Sequence, residues 1–396
     1  MAIQTQVLTK VIRKKEAAFG TLPGAAGARE FRKVSDSIAL KKNKIQSAAI
    51  QTNAQRPMAR HGGRTVDGNI GVELALGLID SELASIVRRD WTAVTPLAGL
   101  TIVATAADDD EPGYFTRSAG SFIADGLALG MLIKPSGFTA GGAANNDKLL
   151  TIIGLTATKL SVAEPVVAAA SASGIGITVP GKVTYIPETG HTNDSYTIEK
   201  WYTAVAESYR FTGQRVASIN IGLAADDKVS AEIAYMGQDR QKATAAYFTN
   251  PAAPGGGDML VTPSGLAIIN GKASKVCTNF SVDINGNASV GKVVGSNVTP
   301  DVFMDMIDVT GQISVYYENG EMDDYFDQEQ SISLINRLDD GIGGAFVIAM
   351  PYVKVFGGSE SGDKEIIRQY DFTAAPNAAG TGAGKSTILL QDTTLI

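Results

Sequence analysis

The sequence predicts a mainly β protein: a β-sandwich or half-barrel with short flanking helices, plus a small inserted β module. Three observations carry this. Apolar residues alternate in short runs bounded by Gly, Asn and Asp, as in Ile70, Val72, Leu74 and Leu76. Charged residues make up only 19% of the 396, and there are 43 glycines, a balance that argues against a helical bundle. One strand–helix unit also occurs twice.

The first copy lies within 64–91. Its period of two stops at Gly77, after which Ile79, Leu83, Ile86 and Val87 fall on one stripe of a short amphipathic helix. Asp80 and Glu82 sit in the first turn and Arg88 and Arg89 at the far end, the charge order a helix dipole favours. In the second copy, VTGQISV at 309–315 repeats VDGNIGV at 66–72, with Val, Gly, Ile and Val in step. Ile313, Val315 and Tyr317 alternate, Gly320 interrupts, and Met322, Tyr325 and Phe326 form another short stripe. The V-x-G-x-I-x-V pattern is common in β proteins. A helix after both copies points further, to two related β-β-α halves sharing one core.

Residues 1–34 are basic and rich in Gly and Ala, and read as an extended arm. A strand in 37–50 leads into a polar connection at 51–63 with the composition of a long hairpin tip. Asp108-Asp-Asp-Glu-Pro-Gly113 marks a boundary, and 114–186 reads as an inserted, outward-facing β module. The core, 1–113 and 187–396, resumes with strands at 196–202 and 208–211 and a hairpin at 219–235. The Pro/Gly-rich 250–272 reads as loop. Phe280, Val282 and Ile284 run into Asn285-Gly286, a two-residue hairpin signal with a return strand toward Val294. Further strands fall in 331–334 and 345–356, and the tail from Ala374 reads as a second arm.

Net charge is −7, unevenly spread. Residues 1–65 hold 13 Lys/Arg against 3 Asp/Glu, and the remainder 21 against 38. Between Asp301 and Asp340 stand eleven acids and one base, Arg337. Oppositely charged parts of one chain suit head-to-tail contact between copies. No apolar run reaches the roughly 18 residues of a membrane span, and the first twenty residues lack an apolar signal core. The single cysteine, Cys277, excludes intrachain disulfides and a thiolate zinc site, and reads as a small buried apolar residue.

Candidate chemistry is sparse. Ala379-Gly-Thr-Gly-Ala-Gly-Lys385-Ser-Thr387 fits a loose phosphate-loop pattern, but no buried strand is expected to lead in and no later strand could supply an Asp for a metal. His61 and His191 lie in Gly-flanked polar loops, unsuited to a packed triad. Asp283-Ile-Asn-Gly-Asn287 resembles the start of a calcium loop, but its Gly comes early and Val294 stands where Glu belongs. Asp108–Glu111 reads as a solvated loop, and Asp323, Asp324 and Asp327 as a polar or interfacial helix face. No catalytic residue, cofactor or metal is expected. The basic–aromatic pattern of a nucleic-acid reader is also missing, and an acidic core surface would repel phosphate rather than capture it.

In their order along the chain, Lys15-Glu-Ala-Ala-Phe-Gly-Thr-Leu-Pro23, the unit 66–91, the hairpin 218–237, Phe280-Ser-Val-Asp-Ile-Asn-Gly286 and the unit 309–326 resemble the tail tube proteins (major tail proteins) of long, non-contractile phage tails. The resemblance implies a structural virion protein assembled in the host bacterial cytoplasm, six copies per ring, with rings stacked into a hollow tube. Sheet edges of neighbours would join around an acidic lumen that conducts DNA during ejection. The hairpin near 42–66 and the arms would reach other subunits, and the inserted module would sit outside. Implied partners are the chain itself and the terminator, tape measure and tail-tip proteins, with DNA passing without specific binding and no membrane insertion. Candidate inter-subunit contacts are Arg56, Arg60 and Arg64 on the hairpin against Asp323, Asp324 and Asp327. The alternative reading is a tail-tip or surface adhesin whose 114–186 module binds a receptor or glycan.

Overall fold

The computed structural model describes residues 3–139, 141–255, 257–362 and 364–396. The protein is mainly β, with two short α-helices, α1 (Asp80–Val87) and α2 (Glu321–Asp327). Its central feature is a row of eight antiparallel strands. From one edge to the other they are Ala39–Ile45, Arg60–Glu73, Ser230–Gly237, Glu207–Ala224, Cys277–Asn285, Asp308–Tyr316, Ile367–Ala374 and Ala345–Ser361. One face is apolar: Val66, Ile70, Val72, Ile219, Ile221, Ile233, Val282, Ile284, Ile313 and Phe372 are all buried there. Each such side chain contributes about 1.5–3 kcal/mol.

Two of the strands are long and serve two layers. Glu207–Ala224 pairs through its first half with Tyr196–Tyr202 and Asp239–Ala243, and through its second with members of the row. Gly213, at φ +64, falls where the layers change. Ala345–Ser361 repeats this, with its first half between Ile332–Asp339 and Leu389–Asp392 and its second beside Ile367–Ala374.

The repeat seen at Val66 and Val309 therefore extends through the architecture. Thr9–Lys15 pairs with Tyr196–Tyr202 as Gly265–Ile269 pairs with Ile332–Asp339. α1 lies on the first long strand and α2 on the second. The glycines of the motif hold matching register positions: Gly68 stands opposite Tyr235, and Gly311 opposite Phe372. A Cβ on Gly311 would meet the Ser281 carbonyl oxygen at 2.0 Å and the Phe372 ring at 2.5 Å.

Between α1 and Tyr196 the first half carries a closed six-stranded barrel with no counterpart among the described residues of the second half. Its strands lie between Leu97 and Thr178, in spatial order Lys159–Val162, Tyr114–Arg117, Leu97–Thr105, Ala169–Thr178, Leu132–Ser136 and Leu150–Leu155. Barrel residues Ile102, Phe115 and Ile152 share one apolar cluster with Ile335, Val347, Ala349 and Leu389 of the second half. Arg337, the one base of the acidic run, is held by the barrel: it pairs with Glu164 at 2.7 Å and donates to the Leu149 carbonyl.

Four sequence expectations are corrected. The basic stretch after residue 2 is not an arm: Thr9–Lys15 pairs with Tyr196–Tyr202, with Val11 in the main core, Arg13 against α1, and Ile12 packed on the other side with Ala28 and Phe248. The Arg13 Nε pairs with the fully buried Glu82 at 2.9 Å, and burial raises the Glu82 carboxyl above its ordinary range. The tail is not an arm either, since Leu389–Asp392 is a buried strand between two neighbours. Within 250–272, Gly265–Ile269 forms a strand. Asn285-Gly286 does not close a hairpin; Ser289–Val290 pairs instead with Val302–Phe303.

Two predictions follow from this packing. Replacing Gly311 with Val should cost about 2–4 kcal/mol by overpacking against Phe372, seen as a lower thermal midpoint; an unchanged midpoint contradicts the close contact. Asp36 accepts from Lys200 and Lys33; burial opposes its charge, but these partners prevail and hold its carboxyl below the ordinary 3.8. Its contribution is then whole at neutral pH and fades as pH falls below about 4. Asp36→Asn should lower the midpoint at pH 7, with the gap from the parent narrowing as pH falls below about 4, whereas an offset independent of pH contradicts the ion pair.

Candidate functional site

Residues that alternate with the buried set line the opposite face of the row. On the six inner strands this face presents Asp67, Glu73, Glu232, Asp283, Asp308 and Asp371, with neutral Asn69, Asn220, Ser281, Thr310, Gln312 and Thr373 between them. It carries no lysine or arginine between 66 and 73, 216 and 224, 230 and 237, 277 and 285, or 308 and 316. Asn69 donates to Glu232 at 2.7 Å and Gln312 to Asp371 at 2.8 Å, so neutral amides fix two of the carboxylates. Lys41 pairs with Asp67 and Lys228 with Glu73 at its margins. Glu232, Asp283, Asp308 and Asp371 form no ion pair among the described residues. Burial pushes the Asp283 carboxyl upward. The surface is a broad acidic sheet, suited to repelling phosphate.

The second feature is the hairpin of Ala39–Ile45 and Arg60–Glu73, at one end of the row. Most bases before residue 65 are matched within the chain: Lys10 with Glu30, Lys15 with Asp194, Arg29 with Asp80. Lys42, Lys44, Arg56 and Arg60 form no ion pair among the described residues. All four lie on this hairpin, beside the exposed apolar Ile45, Ile50 and Met58.

The residues expected at contacts separate into two kinds. Arg64 is engaged internally, pairing with Asp239 at 3.2 Å and donating to the Asn297 side chain. Asp323 accepts from the Tyr370 hydroxyl. Arg56, Arg60, Asp324 and Asp327 are exposed, and nothing within the described residues joins the arginines to the aspartates. The glycine-rich 379–387 forms a short 3-10 turn, Gly382–Lys385, followed by a buried strand rather than a helix, and Lys385 pairs with Glu188. No group of three His, Cys, Asp or Glu among the described residues could hold a metal, and no helix among them is long and apolar enough to cross a membrane.

A broad sheet with open edges, an acidic face and a projecting basic hairpin defines a structural subunit built to join others. The chain belongs to the phage tail tube protein family, whose sequence model matches residues 7–388. A search of curated proteins gives no match to the chain. It is a structural tail component of the virion. Sequence reasoning located the motif strands and the acid excess. It missed that the acids gather on one face, although the alternation of Asp67, Asn69, Gly71 and Glu73 with Val66, Ile70 and Val72 already held that signal.

Proposed function

We propose that the chain forms closed rings that stack into the hollow tail tube, with the acidic face of the eight-stranded row turned to the lumen. The carrying observation is that face: four carboxylates that form no ion pair among the described residues, and no lysine or arginine in 66–73, 216–224, 230–237, 277–285 or 308–316. DNA sliding past such a wall meets repulsion at every ring and no site to hold it. The basic hairpin, with Arg56 and Arg60, reaches the acidic α2 surface of a neighbour at Asp324 and Asp327. The barrel strands between Leu97 and Thr178 lie on the outside, and terminator, tape measure and tail-tip proteins are the further partners of the tube.

A double substitution, Glu232→Lys with Asp283→Lys, tests the lumen. Tubes should still form by negative-stain microscopy. DNA release from virions carrying the substitutions should slow several-fold at low salt and recover as salt rises, since counterions screen the added charge. Release at the parent rate in low salt would contradict a lumenal position for this face.

A further inference from the structure

We propose that the inserted barrel is a brace: carried by the first half and seated on the second, it fixes the angle between the two halves. In the tube reading, on which its use rests, that angle is the curvature each chain brings to the ring wall.

The row joins the halves along one strand pair, Ser218–Ala224 against Asn279–Asn285. Such a pair fixes spacing and register, but the twist between neighbouring strands can range over about 10–35°. An element with a close-packed foot in each half removes that freedom. The barrel has both feet. The first is at the end of α1, where Thr92 and Val183 exchange backbone hydrogen bonds at 2.9 Å and the Thr184 hydroxyl donates to the Arg89 carbonyl at 2.8 Å. The second is the layer of Ile332–Asp339, the first half of Ala345–Ser361, and Leu389–Asp392. There Lys182–Tyr185, the strand that leaves the barrel, pairs with Leu389–Asp392. The fully buried Gln391 side chain accepts from the Leu132 N–H at 2.7 Å and donates to the Pro180 carbonyl at 2.9 Å. Gly130 lies so close to Ala349 that a Cβ on it would overlap the alanine methyl.

The duplicated halves show that this seat is built for the contact. Both carry the same irregularity: the register slips between Tyr196–Gln214 and Ile198–Phe211, and again between Ile332–Val353 and Leu334–Met350. Counting on from it, the pair Glu199–Arg210 corresponds to Ile335–Ala349, and Ser208 to Val347. Equivalent positions are polar in the first half and apolar in the second. Glu199 accepts from Ser208 and from the Tyr247 and Phe248 N–H groups, and Arg210 lies over the Tyr247 ring, so that layer is covered by the connector between the halves. Ile335, Val347 and Ala349 instead pack without exposed surface in one cluster with Ile133 and Ile152 of the barrel. Polar groups set there would be buried without partners. At the rim Arg337 pairs with Glu164, which also accepts from the Thr151 hydroxyl.

The angle can be measured in the isolated full-length chain. Nitroxide labels at Gln241→Cys in the first half and Gln330→Cys in the second, both exposed positions, in a Cys277→Ser background, report a distance distribution by pulsed dipolar spectroscopy. The parent should show one narrow distance. Gly130→Phe wedges the barrel off Ala349 and should widen the distribution at least twofold. An equally narrow distribution in the wedged chain overturns the brace, as does a broad one in the parent. Should Gly130→Phe fail to fold, Arg337→Ala with Gln391→Ala loosens the same seat and is read in the same way. Tubes of the wedged or loosened chain should vary in diameter where parent tubes are uniform, and uniform tubes overturn the link to curvature. A parent chain that forms no tubes refutes the tube reading alone, since the isolated chain tests the brace.

Discussion

A β-sheet satisfies its backbone only as far as it has neighbours, and this constraint organises the molecule. Every strand of the eight-stranded row is paired on both sides except at its two ends, Ala39–Ile45 and the outer half of Ala345–Ser361. An open edge of this kind invites indiscriminate pairing. Here the two edges differ in character, one rich in lysine and the other carrying Phe356 beside an acidic helix. Joining like to like would set lysines against lysines, so the charge pattern favours one partner and one direction. An internal junction of seven residue pairs shows what a closed edge of this fold looks like.

The duplicated motif gives that junction its shape. Gly311 leaves room for the ring of Phe372 on the next strand, while Gly68, opposite Tyr235, lets the Ser37–Ile38 backbone approach. These rings face the core, where Tyr235 donates to the buried Glu82 and Phe372 stacks on Phe280 at 5.6 Å. Strand register thus depends on core packing, and a slip by one residue would bury the carboxylates. The acidic face and the apolar face are two sides of one alternation, so the acidic face is as well specified as the core.

Legibility followed range. The strand–helix units were readable because their signal is local: a period of two, a glycine, then a period near four. Met322 and Tyr325 of α2 are buried as the stripe implied, although Phe326 is half exposed. Thr9–Lys15 and Leu389–Asp392 were read as arms because each is short and lacks clean alternation. Their burial comes from partners far along the chain, Tyr196–Tyr202 for one and Lys182–Tyr185 with Ala345–Ser361 for the other. The barrel's first strand, Leu97–Thr105, precedes the acidic boundary loop and shows no break from the core in composition. Contact residues were legible only as charge. Sequence could not show that Arg64 and Asp323 are engaged within the chain while Arg56, Arg60, Asp324 and Asp327 remain exposed.

Amide hydrogen exchange, compared between the isolated chain and the assembled tube, tests the open-edge account most directly. In the isolated chain, amides of Ala39–Ile45 that point away from Arg60–Glu73, and those of Phe356–Ser361 that point away from Ile367–Ala374, should exchange quickly. In the tube both sets should become protected together by at least a hundredfold, as Ser218–Ala224 is in either state. Fast exchange persisting at both edges in intact tubes would contradict it, because the backbone would then have found no partner.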